Sequence, residues 1–191
     1  MTFTSEQYRS FKLLSPAGCI IALLGFFLTF TEINCNGTTL DTITGVELAT
    51  GYRPDIDLTE SNDEPETKQE KYDPNVFALN AWIAAMLGLA LFLIPKMRDQ
   101  HALHLIIALI GFGCMIGLMF NLKSALNDAK SSGGVVNVDL PITFDMQPGY
   151  WIVTASFFLT LVADIVLWMH QRKVIADLHA SRQPDNDSKL S

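Results

Sequence analysis

Two ionisable side chains lie inside long apolar runs, where charged groups are rare. Asp164 is the single acid of the run 151–169, and His104 stands near the start of the run 103–122. If these runs form neighbouring antiparallel helices, both residues lie near the same end, and His104 becomes the best partner for Asp164. A charge at membrane depth costs roughly 3 kcal/mol on insertion scales, so it usually faces a partner inside a bundle. The pair could bind a proton or an ion, or it could fix helix register.

The histidines also allow a cofactor hypothesis. His104 and His170 could face each other at the same end of the bundle, as haem ligation by two histidines requires. His101 shares a helix face with His104, three positions away. Histidines beside Lys96 and Arg98 are, however, typical of residues that contact lipid headgroups. We therefore expect no cofactor and no metal, with haem bound through His104 and His170 as an alternative.

The three cysteines do not suggest redox catalysis. Cys35 is the only one outside the apolar runs, and Cys19 and Cys114 lie within them. Thiol–disulfide exchange needs a second, resolving cysteine, and the sequence has no C-x-x-C. Cys35 could form an intermolecular disulfide in an oxidising compartment, or it could be a small half-buried residue. The sequence also shows no nucleophile paired with a base and no glycine-rich phosphate loop, so we expect no catalytic residues and no enzyme.

Two further motifs are weak. Asn36 opens a formal glycosylation sequon but stands close to an apolar run. Asp55, Asp57 and Glu66 occupy the first, third and twelfth positions of an EF-hand loop, but Glu60 stands where that loop needs glycine. We interpret the second motif as part of a polar, acidic segment.

Four apolar runs determine the predicted architecture. The chain has 191 residues, of which 49% are hydrophobic and only 17% charged. The runs 13–31, 76–94, 103–122 and 151–169 are nearly free of charge, and each approaches the ~20 residues that cross a ~30 Å hydrocarbon core. The sequence therefore predicts one integral membrane domain of the all-α class, a four-helix bundle.

Small residues spaced by four positions predict close helix packing within that bundle. The pairs are Gly18 and Ala22, Ala84 and Gly88, and Gly113 and Gly117.

The distribution of lysine and arginine predicts the orientation of the bundle. Basic residues cluster before the first run, in the turn "PKMRDQ" and at the start of the tail 171–191, whereas the loops 32–75 and 123–150 hold an excess of acids. Basic residues near the ends of membrane helices stay in the cytoplasm. Both termini are therefore expected inside and both long loops outside. Tyr150 and Trp151 at one end of the fourth run, with Trp168 at the other, fit aromatic belts at the interfaces.

The two outer loops carry strand signals. Residues 38–50, "TTLDTITGVELAT", have β-branched residues at a rough period of two, with Gly45 as a bend or bulge. Residues 136–147, "VNVDLPITFDMQ", alternate apolar and polar through six repeats, with Pro141 on the polar side as at a sheet edge. A single amphipathic strand is unstable, so we expect the two segments to pair. They would form a small extracytoplasmic β-sheet cap on the bundle.

This predicted topology resembles that of claudin-like proteins, which have four helices and an outer sheet built from two loops. The resemblance is architectural, because the tryptophan and paired cysteines of the claudin first loop are absent. Residues 26–52 also resemble uncharacterised small four-span bacterial membrane proteins, through a Phe-rich helix end followed by C-x-G and "TGVELATG". That resemblance implies a bacterial inner (plasma) membrane and no activity.

These observations lead to three functional hypotheses. The first is a non-enzymatic inner-membrane protein that works by contact, as an adaptor or accessory subunit of an envelope complex. The second is a small proton- or ion-linked carrier or channel that uses Asp164 and His104. The third is a haem-binding redox protein. Expected partners are the lipid bilayer and other membrane proteins or further copies of this chain, and no nucleic acid.

Overall fold

The computed structural model describes residues 5–35, 38–52, 73–94, 101–131 and 142–182, and this part of the chain is mostly helical. It contains five helices and three strands. In chain order they are α1 (Ser5–Gly25), β1 (Thr29–Cys35), β2 (Thr38–Thr44), α2 (Gly45–Thr50), α3 (Val76–Leu93), α4 (His101–Ser131), β3 (Ile142–Met146) and α5 (Pro148–Arg182).

Within the described residues, three helices are long and apolar enough to cross a membrane. Their apolar segments are Val76–Leu93, His101–Ala125 and Pro148–Ala176. The apolar part of α1 is shorter, Leu13–Gly25. At 1.5 Å per residue it covers about 20 Å. The first predicted run is thus helical over a shorter length than expected.

The predicted span 13–31 was wrong at its C-terminal end. The helix ends at Gly25, and residues 29–31 belong to β1. The reason is visible in Phe26 and Phe30, which are fully buried with ring centroids 5.2 Å apart. These two rings fill the junction between helices and sheet, so part of the apolar stretch that resembled a lipid-facing helix belongs to the core, whereas Phe27 and Leu28 are exposed.

Other predicted boundaries also moved. Helix α4 continues to Ser131, so the loop predicted to begin at residue 123 begins with helix. Helix α5 starts at Pro148 and continues to Arg182, through much of the predicted tail. Tyr150, predicted for an aromatic belt, is buried and donates a hydrogen bond to the Met115 carbonyl at 3.0 Å. Trp151 is exposed, as expected of a belt residue.

Helices α1 and α5 pack antiparallel along glycines of α1. Gly18 lies against Thr160, and Gly25 lies against Val153. Because a Cβ at either glycine would overlap these side chains, the glycines let the two helices approach closely. Helix α4 packs on both α3 and α5, which completes the group of four long helices.

The small-residue prediction was confirmed for some positions and wrong for one. Gly88 is buried against the Cys19 thiol, and Gly117 meets the ring of Phe77. Gly113, in contrast, has open space around it. The residue of α4 that fits tightly is Gly111, where an added Cβ would overlap the ring of Phe157.

The sheet has the strand order β2-β1-β3, with both pairs antiparallel. We had predicted that 38–50 pairs with 136–147, and that pairing was wrong. Strand β3, the described part of the second segment, pairs instead with β1, in a register that sets Ile33 opposite Phe144. Strand β1 therefore lies at the centre of the described sheet, between β2 and β3.

The segment 38–50 is only half strand. Its second half is helix α2, which begins with a capping box at Thr44 and Glu47. The Thr44 hydroxyl accepts from the Glu47 backbone at 3.3 Å, and the Glu47 carboxylate accepts from the Thr44 backbone at 2.8 Å. The sequence T-x-x-E is a helix-start signal, so Gly45 opens a helix where we had expected a bend in a strand.

The predicted alternation of β3 is confirmed where side chains are described. Thr143 and Asp145 are exposed, whereas Met146 packs against the core. Residues 136–141, with Pro141, lie outside the described residues. The sheet covers one end of the helix group, where Asn75 caps α3 and donates to Asn121 of α4 at 2.9 Å. We call this the sheet end.

Candidate functional site

A small enclosed cavity lies among all four long helices, away from the sheet. Its volume is about 10 Å³, the room that one water molecule occupies. The lining residues are Ser15 and Cys19 of α1, Ala84 and Gly88 of α3, His104, Ile107 and Ala108 of α4, and Phe157, Thr160 and Asp164 of α5. We call it the polar cavity, because its walls bring together a carboxyl, an imidazole, two hydroxyls and a thiol.

Asp164 is the most deeply buried acid in the described part of the chain, with 1% of its surface exposed. Its Oδ2 accepts a long hydrogen bond from the Ser15 hydroxyl at 3.5 Å. Its Oδ1 has no hydrogen-bond partner among the described residues. A buried oxygen without a partner is rare in folded proteins and needs an explanation. A proton, a water molecule or a cation could complement it.

His104 lines the same cavity and is 6% exposed. Its Nε2 also has no hydrogen-bond partner among the described residues, so no bond joins it directly to Asp164. The structure therefore brings the predicted pair to one cavity and leaves one polar atom of each residue without a partner. An acid and an imidazole that line one cavity with room for about one water molecule are suited to proton exchange through that water.

Helical spacing places the other polar groups. Ser15 and Cys19 are four residues apart on α1, and Thr160 and Asp164 are four apart on α5, so each pair shares a helix face. Thr160 donates its hydroxyl proton to the Ser156 carbonyl at 2.8 Å. Our sequence reasoning missed Ser15, Cys19 and Thr160 as members of the site. The two polar i, i+4 pairs within apolar runs were the signal that could have identified them.

A larger groove opens at the end of the helices opposite the sheet. Its volume is about 540 Å³, and it runs between the first turns of α4 and the late turns of α5. His101, 4% exposed, lines this groove, whereas His104, one turn further along the same helix, lines the polar cavity. The two histidines thus lie between an open groove and a closed cavity. We call the groove the end groove.

The remaining predicted site residues lie elsewhere. His170 is half-buried and lines neither cavity. It is six positions after Asp164, so on an α-helix its side chain points about 120° away from the direction of Asp164. Cys35 ends β1 opposite Thr38 and Ile142, and its side chain is outside the described residues, as are Asn36 and the EF-hand-like segment. The searched part of the chain holds no group of three or more His, Cys, Asp or Glu that could bind a metal ion.

The sequence matches no protein-family model and no curated protein, and the fold matches no solved structure. Function in this chain is therefore inferred from the chemistry of the site itself.

Proposed function

We propose that the chain is a four-span integral membrane protein of the bacterial inner membrane, with both termini in the cytoplasm. The main support is the outward surface of the long helices, which is apolar on every helix. Soluble proteins rarely expose apolar patches of this extent, whereas lipid requires them. Exposed members include Ile20, Ile21 and Leu24 of α1, Met86 and Leu87 of α3, Ile106, Leu109 and Ile110 of α4, and Phe158, Leu159 and Ile165 of α5.

Helix α1 is the first of the four spans in this proposal. Its apolar part is short, but exposed Phe27 and Leu28 continue the apolar surface beyond its end. The basic residues Arg172 and Lys173 lie in the last turns of the apolar part of α5, at the end opposite the sheet. By the positive-inside rule this end faces the cytoplasm and the sheet faces outward.

Within this bundle we assign proton handling to Asp164 and His104, as the central site of a small carrier or channel that conducts protons. The observation that carries the assignment is the shared polar cavity, where Asp164 Oδ1 and His104 Nε2 both lack a hydrogen-bond partner among the described residues. A residue that only fixes helix register gains most when its hydrogen bonds are complete. A group that takes up and releases a proton needs free acceptor atoms in at least one of its states.

The position of His101 supports access from the cytoplasmic end. His101 lines the end groove one turn before His104, which lines the polar cavity, so a proton path from the groove to the buried carboxyl would run along these two histidines. Other groups that face Asp164 are the Ser15 hydroxyl and the Cys19 thiol of α1. Helix α3 contributes Ala84 and Gly88 to the cavity wall, neither of which can carry a proton.

Proton flux in reconstituted vesicles tests the proposal. Vesicles loaded with a pH-sensitive dye receive a potassium diffusion potential, and the internal pH is followed with and without protein. We expect the protein to speed the pH change and Asp164→Asn, which keeps the shape but cannot ionise, to return it to the rate of protein-free vesicles. Asp164→Glu should retain part of the flux.

His170→Asn is the matched control, because it removes an ionisable group from the same helix without touching the cavity. It should leave the flux unchanged. Flux that equals protein-free vesicles for the unaltered chain, or that persists fully in Asp164→Asn, would contradict the proposal. Elution volume and melting temperature in detergent establish that each variant is folded.

A second candidate is the adaptor function, and the outer sheet is the observation that favours it. In the described sheet β2 and β3 are the outer strands, and each has one side that pairs with no described strand. Exposed polar residues cover the outward face, including Asp145, which accepts from the Asn34 side chain at 2.9 Å. A partner could bind by adding a strand to such an edge. Purification from native membranes in mild detergent, followed by mass spectrometry, would recover a stoichiometric companion if the protein works as an adaptor.

A further inference from the structure

We infer that the end groove binds the headgroup and upper acyl chain of an anionic phospholipid in the cytoplasmic leaflet. The inference rests on the proposed membrane orientation but not on the proton chemistry of Asp164. It starts from the composition of the groove, which is apolar along its length with one cation at its edge.

The apolar part of the groove suits an acyl chain. Leu103 and Ile106 of α4 form one wall, and Trp168 and Ile175 of α5 form the other. Ile106 and Ile175 are each more than half exposed, so the apolar wall is continuous with the lipid-facing surface of the two helices. An acyl chain can therefore enter sideways from the bilayer without leaving an apolar environment.

The polar part of the groove suits a phosphate. The Arg172 guanidinium lies 4.1 Å from the centroid of the Trp168 ring, which holds the charge over the edge of the groove. Stacking on an indole leaves the N–H donors in the guanidinium plane available for bonds to a phosphate oxygen. Gln171 adds a polar side chain to the same lining. The combination of an arginine on an aromatic ring with an adjacent apolar channel matches an amphipathic anion.

The surrounding charge selects an anionic occupant. Basic residues outnumber acids in the sequence on either side of the groove-lining segments: the six residues before α4 contain Lys96 and Arg98 with Asp99, and Lys173 follows Arg172. One basic residue near the membrane surface attracts anionic lipid by about 1 kcal/mol, which is about fivefold in affinity. Among these bases only Arg172 lines the groove, so we assign this preference at the groove to Arg172. A zwitterionic headgroup would gain little from these charges.

Quenching of Trp168 by brominated lipid tests the inference. In a chain with Trp82→Phe and Trp151→Phe, Trp168 is the only tryptophan, and bromine on the acyl chain quenches it only at contact. Vesicles contain a small fraction of either brominated phosphatidylglycerol or brominated phosphatidylcholine in unbrominated phosphatidylcholine. We expect phosphatidylglycerol to occupy the site about fivefold more strongly than phosphatidylcholine.

Arg172→Gln and Lys173→Gln form a matched pair, since each removes one positive charge at the same end but only Arg172 lines the groove. Arg172→Gln should reduce the ratio of phosphatidylglycerol to phosphatidylcholine occupancy to about 1, which means no preference. Lys173→Gln should retain most of the preference for phosphatidylglycerol. Equal quenching by the two lipids in the parent chain, or an equal loss in both variants, would overturn the inference. Loss of the preference on adding inorganic phosphate at constant ionic strength would also overturn it, since the site would then bind phosphate without the lipid.

Native mass spectrometry of the chain with all three tryptophans provides a second readout. Phosphatidylglycerol should remain bound to the parent chain and to Lys173→Gln, and be lost from Arg172→Gln. Membrane insertion has a separate readout: Trp168 is then quenched by either brominated lipid more than it is in detergent, whether or not the groove prefers one lipid. Failure of the lipid site can therefore be distinguished from failure of the proposed membrane topology.

Discussion

At the scale of single residues, the molecule is defined by a carboxyl and an imidazole that share one cavity without bonding directly. Asp164 has a single long hydrogen bond, from Ser15, and His104 lies in the same lining. Two groups that share a cavity of about one water molecule must influence each other's free energy, because each changes the polarity that the other experiences.

A double-mutant cycle measures that influence. We expect Asp164→Asn and His104→Asn to be non-additive, with an interaction free energy of about 0.5–3 kcal/mol in the free energy of unfolding. Denaturant unfolding in detergent micelles, followed by circular dichroism, provides the measurement. Asp164→Asn combined with His170→Asn is the control cycle, and it should be additive within about 0.5 kcal/mol. Equal coupling in both cycles would show that the cavity does not connect the pair.

At the scale of elements, glycines determine how closely the helices approach. Gly111 and Gly113 lie two positions apart on α4 and face different surroundings, a phenylalanine ring and open space. Their difference shows that a spacing motif by itself does not identify the packed glycine. The tertiary neighbours decide it.

Alanine at these two glycines makes a direct test of α4–α5 packing. We expect Gly111→Ala to reduce the free energy of unfolding by about 1–3 kcal/mol, because the new methyl group overlaps the Phe157 ring. Gly113→Ala should be neutral or stabilising, since alanine favours helix and nothing there obstructs it. Melting temperatures in the same detergent compare them. A greater loss for Gly113→Ala would contradict this packing.

The junction between sheet and helix depends on the capping box of α2. We expect Thr44→Ala to cost about 1 kcal/mol of unfolding free energy, because the hydroxyl that accepts from the Glu47 backbone is removed. Thr50, at the other end of α2, is the matched control. The Thr50 hydroxyl donates to the Val46 carbonyl within the helix, and this hydrogen bond is not part of the capping box. Thr50→Ala should therefore cost less, and the reverse order would contradict the assigned role of Thr44.

At the scale of the whole molecule, the four long helices present many apolar side chains outward, and they bury a few polar ones, among them Asp164 and His104, within an apolar core. The sheet covers one end, and the end groove opens at the other. This polarity is what a protein in a bilayer requires, because lipid replaces water around the helices but not at their ends.

Cysteine labelling tests the orientation of the whole molecule. In a chain with Cys19, Cys35 and Cys114 replaced by alanine, Lys123→Cys introduces a thiol toward the sheet end and Lys173→Cys introduces one at the opposite end. We expect a membrane-impermeant maleimide to label Lys123→Cys in intact spheroplasts and Lys173→Cys only after permeabilisation. The reverse pattern would invert the proposed topology, and labelling of both in intact cells would exclude it.

The sequence alone predicted the existence of the four long helices, though not their ends, and two residues of the site. Long apolar runs such as 76–94 predict membrane-length helices, because a helix needs about 20 consecutive apolar residues to cross the hydrocarbon core. The alternation of apolar and polar residues up to Met146 predicted a strand, because successive side chains on a strand point to opposite faces. Asp164 and His104 stood out because ionisable residues in apolar runs are costly.

Only the tertiary structure decided what depends on contacts between distant segments. Phe26 and Phe30 look like lipid-facing residues in sequence, yet they fill the core where α1 turns into β1. The pairing of β3 with β1 follows from where the helices place each strand, which local pattern does not contain. Ser15 contacts Asp164, 149 positions away in the chain, because α1 and α5 pack antiparallel with Gly18 against Thr160. Spacing within one helix cannot reveal such a contact.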